Sequence, residues 1–308
     1  MTSFQQSSWN RYALRPAGLG DLDAVVALIA EQNSRDYGEQ GVSSETLRAR
    51  WEALDLSKNT WLAFAPGGNL AGYVELMPDL PDSFDVSLYL AEGPQQVELG
   101  AYLLSLAEQN APPALPLYSR VSAVNTAGMQ VFREAGYVSR LSFLIMKRML
   151  EIAPEPARWM PGLTVRTFAP GKDAQAVYKV DEEASVDKGY HAPMSFEQWA
   201  GRMSLNAPEF DPGLWFLACH GDEIAGVALN FYAEKTKTAW IDHLSVLRQW
   251  RNQGIGKALL LHSFAEFQRR GIQQVCLSVD SKSLTNAPRL YAQVGMETIL
   301  EYHIFKKG

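Results

Sequence analysis

The feature that most constrains the fold of this chain is an internal repeat. The letters WLAF at residues 61–64 and AGYV at 71–74 recur as WFLA at 215–218 and AGVA at 225–228, each 154 positions further on. Two separate matches at one offset are not expected of unrelated segments, and self-similarity of this kind indicates repeated architecture. A chain of 308 residues also suits two domains of ordinary size. Two copies of one fold are therefore expected.

A proline-rich segment lies between the two copies. Residues 153–161 contain three prolines, which oppose both helices and central strands. We therefore expect an N-terminal domain over residues 1–152, a linker over 153–161 and a C-terminal domain over 162–308.

Strand and helix patterns alternate in the second copy. Residues 238–246 predict a strand, whereas residues 257–270 carry apolar side chains at helical spacing and are followed by a glycine. Residues 274–280 predict the next strand, 287–294 a second helix and 298–306 a closing strand that completes the C-terminal domain. A short glycine-containing loop must then join the first strand to the first helix.

That loop has the pattern Arg-x-x-Gly-x-Gly, with Arg251, Gly254 and Gly256. Glycines allow a tight turn and close approach to a ligand, and the start of a helix offers unpaired N–H groups that suit an anion such as a pyrophosphate. Two nucleotide motifs are excluded. A P-loop would need glycine at Arg251 and serine or threonine at Ala258, and a dinucleotide fingerprint would need glycine at Leu259.

This order of elements, with the loop above and LYAQVGM at residues 290–296, resembles the GNAT superfamily of N-acetyltransferases. The resemblance implies an α/β (α+β) fold of two tandem GNAT (acyl-CoA N-acyltransferase) domains. Each would have a mixed, mostly antiparallel central sheet flanked by helices. It also implies acetyl-CoA as co-substrate, no metal, and a small-molecule amine as acceptor.

The same resemblance implies which residues hold acetyl-CoA. Backbone groups near Leu244 and Val246 would pair with the pantetheine arm and polarise the thioester carbonyl, while the Ser245 side chain points to the other face. A later loop has Ser283 where similar tandem proteins often have a cofactor-contacting asparagine, and Asn286 is expected to cap the next helix. The expected cofactor-binding residues are Leu244, Ser245, Val246, Arg251, Asn252, Gln253, Gly254, Ile255, Gly256, Lys257 and Ser283.

Two residues are the catalytic candidates. Tyr291 would be the general acid, since a phenol can protonate a departing thiolate. Some relatives carry a glutamate base six residues before the valine that matches Val246, but Trp240 stands there. Asp242, expected on the same strand face as Trp240, is the candidate base; alternatively it orients the acceptor amine or makes a structural hydrogen bond. His243 is expected to point the other way, into the core.

The first copy lacks these groups. A gapless alignment places residues 95–100 over the loop, with Glu98 at the position of Gly254. Its side chain and negative charge would oppose a phosphate. Phe132 stands where the second copy has Tyr291 and has no proton to donate. We expect the N-terminal half to be a structural or acceptor-shaping partner.

The charge is distributed unevenly. Residues 1–158 hold 12 basic and 18 acidic residues, whereas residues 159–308 hold 16 of each, which gives the formal net charge of −6. The neutral half is the easier host for polyanionic coenzyme A. No basic patch with interleaved aromatic residues indicates nucleic acid.

Weaker sequence patterns predict the cellular compartment and the binding partners. The sequence has neither a secretory signal nor an apolar run long enough to span a membrane, so a cytoplasmic protein without a membrane partner is expected. Cys219 and Cys276 fall in predicted strands and are expected to be buried thiols. The five histidines show no paired metal-ligand spacing. The repeat could already mimic a dimer, so either a monomer or a homodimer is expected.

Acceptor choice is expected to depend on the loop at residues 186–193, because loops on rigid scaffolds commonly carry binding. Three functions stay open at this point. The first is acetyl transfer to a small-molecule amine in the C-terminal domain. The second is acetylation of a protein or peptide, and the third is an acyl-CoA-binding module that has lost its catalytic activity.

Overall fold

The computed structural model describes residues 11–38, 41–79, 83–188 and 191–307. The chain divides into two compact units, Met1–Ser142 with Leu300–Gly308, and Phe143–Ile299. We call these the first unit and the second unit.

The helices and strands follow the repeat. The first half of the chain forms β1 (Ala13–Arg15), α1 (Leu22–Tyr37), α2 (Ser44–Glu52), α3 (Leu56–Asn59), β2 (Thr60–Phe64), β3 (Leu70–Asp79), β4 (Ser83–Leu90), α4 (Gln96–Asn110), β5 (Leu117–Ser122), α5 (Thr126–Glu134) and β6 (Tyr137–Met149). The second half forms β7 (Leu163–Thr167), α6 (Ala174–Ser185), α7 (Phe196–Arg202), β8 (Phe216–His220), β9 (Glu223–Ala233), β10 (Thr238–Val246), α8 (Ile255–Arg269), β11 (Gln274–Asp280), α9 (Ala287–Gln293) and β12 (Glu297–Lys307).

Each unit has a mixed, mostly antiparallel sheet, which confirms the predicted fold class. The strand order is β1-β2-β3-β4-β5-β12 in the first unit and β6-β11-β10-β9-β8-β7 in the second. The pairs β4–β5 and β10–β11 are parallel. In the second unit, α6 and α7 pack on one face of the sheet, which we call the α6 face, and α8 and α9 pack on the other.

The last strand of each half belongs to the other unit. Tyr302–Lys306 of β12 pair antiparallel with β5, and Phe143–Met149 of β6 pair antiparallel with β11. The expectation that β12 completes the C-terminal domain is therefore wrong. β6 and β12 are the last strands of the two copies and occupy the same place in the repeat. Each can therefore pair with the sheet edge that its counterpart would otherwise occupy.

An arginine–aspartate pair starts both units in the same way. Arg15 binds Asp21 through two hydrogen bonds of 2.7 and 2.6 Å, and Arg166 binds Asp173 through two of 2.6 and 2.9 Å. In each half of the chain the pair ties the first strand to the start of the first long helix. The arginine hydrogen bonds hold the pKa of both carboxyls below the ordinary value. The repeat thus extends from sequence to side-chain contacts.

Candidate active site

β10 and β11 separate part-way along their length. Their parallel ladder ends with the pair Ile241–Leu277, although β10 continues to Val246 and β11 to Asp280. A β-bulge lies immediately beyond that pair, since the β9–β10 register shifts between Ile241 and His243. Because a bulge bends its strand and increases the twist, it accounts for the opening between β10 and β11.

The end of β10 directs backbone groups toward this opening. Leu247 donates its N–H to the carbonyl of Ala225 in β9 at 3.0 Å. Successive residues of a strand direct their backbone groups to opposite edges, so Leu244 and Val246 direct theirs away from β9. The Val246 carbonyl accepts a hydrogen bond from Arg251 Nε at 3.0 Å. The Val246 N–H and the backbone of Leu244 then face the opening.

The glycine loop turns from β10 into the 15-residue helix α8. Gly254 is the N-cap residue and adopts a left-handed conformation, with φ of 79°, and Asn252 is also left-handed, with φ of 59°. A Cβ on Gly254 would meet nothing within 4 Å, whereas one on Gly256 would lie 3.3 Å from Leu290 Cδ2. Gly254 therefore favours the left-handed turn, and a side chain at Gly256 would require Leu290 to shift by a few tenths of an ångström. The first N–H groups of α8 carry the positive end of the helix dipole.

The two basic residues expected beside the phosphates are held differently. The guanidinium of Arg251 pairs with Asp187 and donates to the carbonyl of Ala184 at 3.3 Å, so it fastens the loop to the end of α6. Lys257 Nζ lies 3.7 Å from Glu155 Oε2, and its side chain is 40% exposed. Lys257 is therefore the freer source of positive charge near the start of α8.

Asp181 of α6 is the centre of a buried polar cluster that also includes side chains of α7 and β10. Its side chain is 2% exposed and accepts hydrogen bonds from His243 Nδ1 at 2.6 Å, Ser245 Oγ at 2.7 Å and Trp199 Nε1 at 2.9 Å. Burial alone would raise the pKa of Asp181, but these hydrogen bonds and the charge of His243 outweigh it and lower the pKa to about 2. Sequence analysis missed this cluster.

The bulge reverses the expected direction of one side chain. Trp240 pairs with Phe231 and stacks on it with ring centroids 6.3 Å apart, and His243 pairs with Leu229. Leu229 and Phe231 are two residues apart on β9 and share one face, so Trp240 and His243 share it as well. The expectation that His243 points away from Trp240 is wrong. Asp242 is the extra residue of the bulge and is exposed.

The expected acceptor loop is only partly described, because Gly189 and Tyr190 lie outside the described residues. His191 Nε2 lies 3.3 Å from Glu182 Oε2. Burial lowers the pKa of Lys188, and the nearby carboxylates, chiefly Asp181, partly offset this effect. This region of the second unit therefore holds groups of both charges.

Tyr291 lies in α9 and is 8% exposed. It belongs to the hydrophobic cluster that includes Ile241 and Val279, the strand residues beside the opening of the β10–β11 ladder. Its counterpart Phe132 is 2% exposed and packs against Phe305, with ring centroids 5.8 Å apart. The same helix position thus accepts either ring.

The loop before α9 departs from the expected capping. Ser283 Oγ hydrogen-bonds Thr285 Oγ1 at 3.0 Å, and the Ser283 N–H donates to the Asp280 carbonyl at 3.1 Å. Asn286 occupies the N-cap position, as predicted, but has φ of 55° and makes no side-chain capping bond. Pro288 in the first turn stabilises the start of the helix instead.

The first unit has a shorter connection at the place of the glycine loop. Five residues, 91–95, join β4 to α4, whereas eight, 247–254, join β10 to α8. Gln95 is the N-cap of α4, so it corresponds to Gly254, and Glu98 lies in the first helical turn. The gapless alignment that set Glu98 opposite Gly254 is therefore wrong by three residues. An acidic residue in the first turn still opposes anion binding.

The depressed pKa of Asp181 predicts an acid-dependent contribution to stability. The ionised carboxylate stabilises the fold fully above pH ~4, and this contribution of about 2 kcal/mol is lost as the pH falls toward 2. Asp181→Asn should lower the free energy of unfolding by about that amount at pH 7 and by less at pH 3, measured by urea titration. Asp242→Asn, on an exposed carboxylate, is the control. An equal loss at both pH values would contradict the assignment.

Comparisons with known proteins agree with this geometry. A family model described as the acetyltransferase (GNAT) family matches residues 174–296. The crystal structure of a GCN5-related N-acetyltransferase from Sphaerobacter thermophilus is 31% identical with a TM-score of 0.80, and the match covers 97% of this chain and 96% of that one. This chain belongs to the GNAT family of acetyltransferases. The predicted family, tandem architecture and enzyme class are confirmed.

Other proteins also match over most of the chain. Mycothiol acetyltransferases from Thermobispora bispora and Thermomonospora curvata are each 29% identical, and the matches cover 90% of this chain and 92% and 91% of those proteins. A tandem GNAT protein from the clavulanic acid biosynthesis pathway shares 14% identity and a TM-score of 0.66, with 96% of this chain and 98% of that one covered. The latter likeness concerns the fold alone.

The structure shows the potential metal ligands, the helices and the cysteines of this GNAT chain within its described residues alone. Within them, no cluster of three or more potential ligands could hold a metal ion. None of the described helices is both long and apolar enough to cross a membrane. Cys219 and Cys276 are buried and not bridged, as predicted.

Proposed function

We propose that this protein transfers the acetyl group of acetyl-CoA directly to a primary amine of a small molecule, in the second unit. One observation carries the proposal: the opening of the β10–β11 ladder lies beside the eight-residue loop that leads into α8. An extended thioester arm can add to the free edge of β10 through Leu244 and Val246. The diphosphate then reaches the first N–H groups of α8.

The remaining cofactor contacts follow from the loop. Asn252, Gln253, Gly254, Ile255 and Gly256 supply backbone groups, and Gly254 in particular has no Cβ to exclude a phosphate. Lys257 adds positive charge, Arg251 holds the loop in place, and Ser283 contributes a shorter polar contact than an asparagine would.

Tyr291 is assigned as the general acid and Asp242 as the group that attracts the acceptor. The departing thiolate needs a proton, and a phenol is a suitable donor. Asp242 is exposed at the bulge, and Glu182 lies in the adjacent helix α6, so a cationic amine meets negative charge there. These carboxylates favour an amine that is protonated when it arrives.

A small-molecule acceptor is supported by relatives. Proteins named mycothiol acetyltransferase match nine tenths of this chain. Two buried, unbridged cysteines suit a reducing compartment, so we place the reaction in the cytoplasm.

The test is a thiol-release screen with acetyl-CoA and a panel of amines. The panel should contain aminoglycosides, amino sugars, polyamines, amino acids and peptides. We expect release of coenzyme A thiol with at least one small amine, together with an acetylated product by mass spectrometry. Transfer to peptides alone would replace the small-molecule acceptor with a protein substrate. No transfer to any amine, despite measurable acetyl-CoA binding, would contradict the proposed function.

A further inference from the structure

The hydrogen bonds around Asp181 fix the orientation of the His243 ring. Asp181 Oδ2 accepts from both His243 Nδ1 and Trp199 Nε1, and Ser245 holds Oδ1. An ionised carboxylate can only accept hydrogen bonds, so the network assigns the proton of the neutral imidazole to Nδ1. The basic lone pair then lies on Nε2. A buried carboxylate that sets a histidine tautomer is the arrangement by which catalytic histidines are made ready to accept a proton.

The bulge turns the side chain of this histidine to the α6 face, one residue from the expected thioester site. His243 immediately precedes Leu244, whose backbone would polarise the thioester carbonyl, and one residue of a strand spans only about 3.3 Å. The His243 side chain is 16% exposed, so it is accessible at the α6 face. Without the bulge, strict alternation would have placed Asp242 at this face instead.

From this geometry we propose that Asp181 and His243 form the proton-accepting pair of acetyl transfer, with His243 Nε2 as the general base. The inference rests on the proposed function and deepens it. Asp181 acts through His243 and is a positioning residue. It also stabilises the imidazolium that forms when the histidine takes up a proton.

An amine that arrives protonated first releases one proton to solvent, which frees the lone pair of its nitrogen. This lone pair forms the C–N bond to the thioester carbon, and the carbonyl π electrons move to oxygen. The nitrogen then loses a second proton to His243 Nε2. When the carbonyl re-forms, the C–S bond breaks and the thiolate takes a proton from Tyr291. His243 afterwards releases its proton to solvent, and Tyr291 regains one.

The first unit lacks the pair in the corresponding register. Gly72 pairs with Leu90 as Gly226 pairs with Val246, so Ser87 and Tyr89 take the positions of His243 and Ser245. The pair and the longer loop therefore occur in the same unit, as a joint role in one reaction requires. The corresponding strand pairs are Glu75–Ser87 and Tyr73–Tyr89 in the first unit, and Leu229–His243 and Val227–Ser245 in the second.

Other ionisable groups near the pair also contribute to the pH dependence of activity. The pKa of Lys188 responds to the charges of Asp181, Arg202, Asp242 and Glu182, and His191 pairs with Glu182. His243 is the histidine whose Nδ1 contacts Asp181. Replacing His243 should therefore abolish the fall in activity toward low pH (the acidic limb of the pH profile), although the carboxylates and Lys188 remain in place.

The main experiment compares His243→Gln with His303→Gln, a histidine of the first unit that pairs with Ser139. With an amine from the screen, kcat/KM of the wild type should fall toward low pH, because a proton on Nε2 removes the lone pair that accepts the amine proton. His243→Gln should lower kcat/KM by about 100-fold or more and abolish that dependence, with acetyl-CoA affinity preserved. His303→Gln should keep both rate and profile. A His243→Gln enzyme with the wild-type rate and acidic limb would overturn the pair and leave the proposed function standing.

Two further measurements separate catalysis from structure. Added imidazole should restore part of the activity of His243→Gly, which a merely structural histidine would not show. In the wild-type protein, ¹⁵N spectra of the neutral ring should show protonated Nδ1 and bare Nε2, a readout that needs no variant to fold. The opposite tautomer would overturn the proposal. A wild type that acetylates no amine would refute the proposed function itself, and the pair with it.

Discussion

Replacing Gly254 with aspartate should weaken acetyl-CoA binding by at least tenfold, whereas asparagine at the same position should weaken it far less. Both side chains tolerate the left-handed backbone, with φ of 79°, better than other residues do. Both are also good N-cap residues, and open space surrounds the Cβ position. The two variants differ by one negative charge, which at ~4 Å from a phosphate costs on the order of a few kcal/mol. Calorimetric titration of acetyl-CoA measures the difference.

Salt and a second site serve as controls for this prediction. Raising the ionic strength should narrow the gap between the aspartate and asparagine variants, because screening weakens the repulsion. Gln95→Asp changes the corresponding N-cap of α4 in the first unit and should leave affinity unchanged. Equal affinities for Gly254→Asp and Gly254→Asn would show that the diphosphate binds elsewhere.

Local periodicity was enough to predict much of the second unit. The strands predicted at residues 238–246 and 274–280 match β10 and β11 at both ends. Their ends are marked by turn residues close in sequence, so no knowledge of the partner strands was needed. Helix α8 begins at Ile255, two residues before the predicted start, because a helix can begin directly after a left-handed glycine.

Features that depend on distant partners were not predictable in this way. The bulge after Ile241 arises from the register of β10 on β9, and the sequence of β10 alone does not show it. Asp181 lies 62 residues before His243, and the sequence of α6 does not distinguish it from the neighbouring Glu182 and Glu183. Only the packing of α6 on β10 identifies it as the buried partner.

The repeat misled sequence analysis in two places. It placed β12 with its own half, although the register with β5 shows the opposite assignment. It also aligned the two loops without a gap, although the first is three residues shorter. In the first case each half gives its last strand to the other unit, and in the second the similarity between the copies hid a difference in loop length. The proposed function uses this difference in loop length, since the shorter loop begins α4 with an N-cap side chain and an acidic first turn.

Tyr291→Phe should lower the rate of acetyl transfer by about 100-fold while acetyl-CoA affinity stays nearly constant. The fold should tolerate the change, because the first unit already carries phenylalanine at this helix position, where Phe132 packs against Tyr137 and Phe305. Only the hydroxyl proton is lost. Without it, coenzyme A must leave as an unprotonated thiolate or take a proton from water. Because the pKa of a free thiol is ~8.5, the unprotonated thiolate is a poorer leaving group near pH 7 than the protonated thiol.

Single-turnover measurements are the appropriate test of this role, since slow product release could mask a slower chemical step. Tyr137→Phe removes a buried phenol from the first unit and should leave the single-turnover rate unchanged. The pH profile also separates the two proposed groups, because Tyr291→Phe should retain the acidic limb that His243→Gln loses. An unchanged single-turnover rate in Tyr291→Phe would mean that the thiolate obtains its proton from another donor, and that Tyr291 serves to pack α9 against β10 and β11.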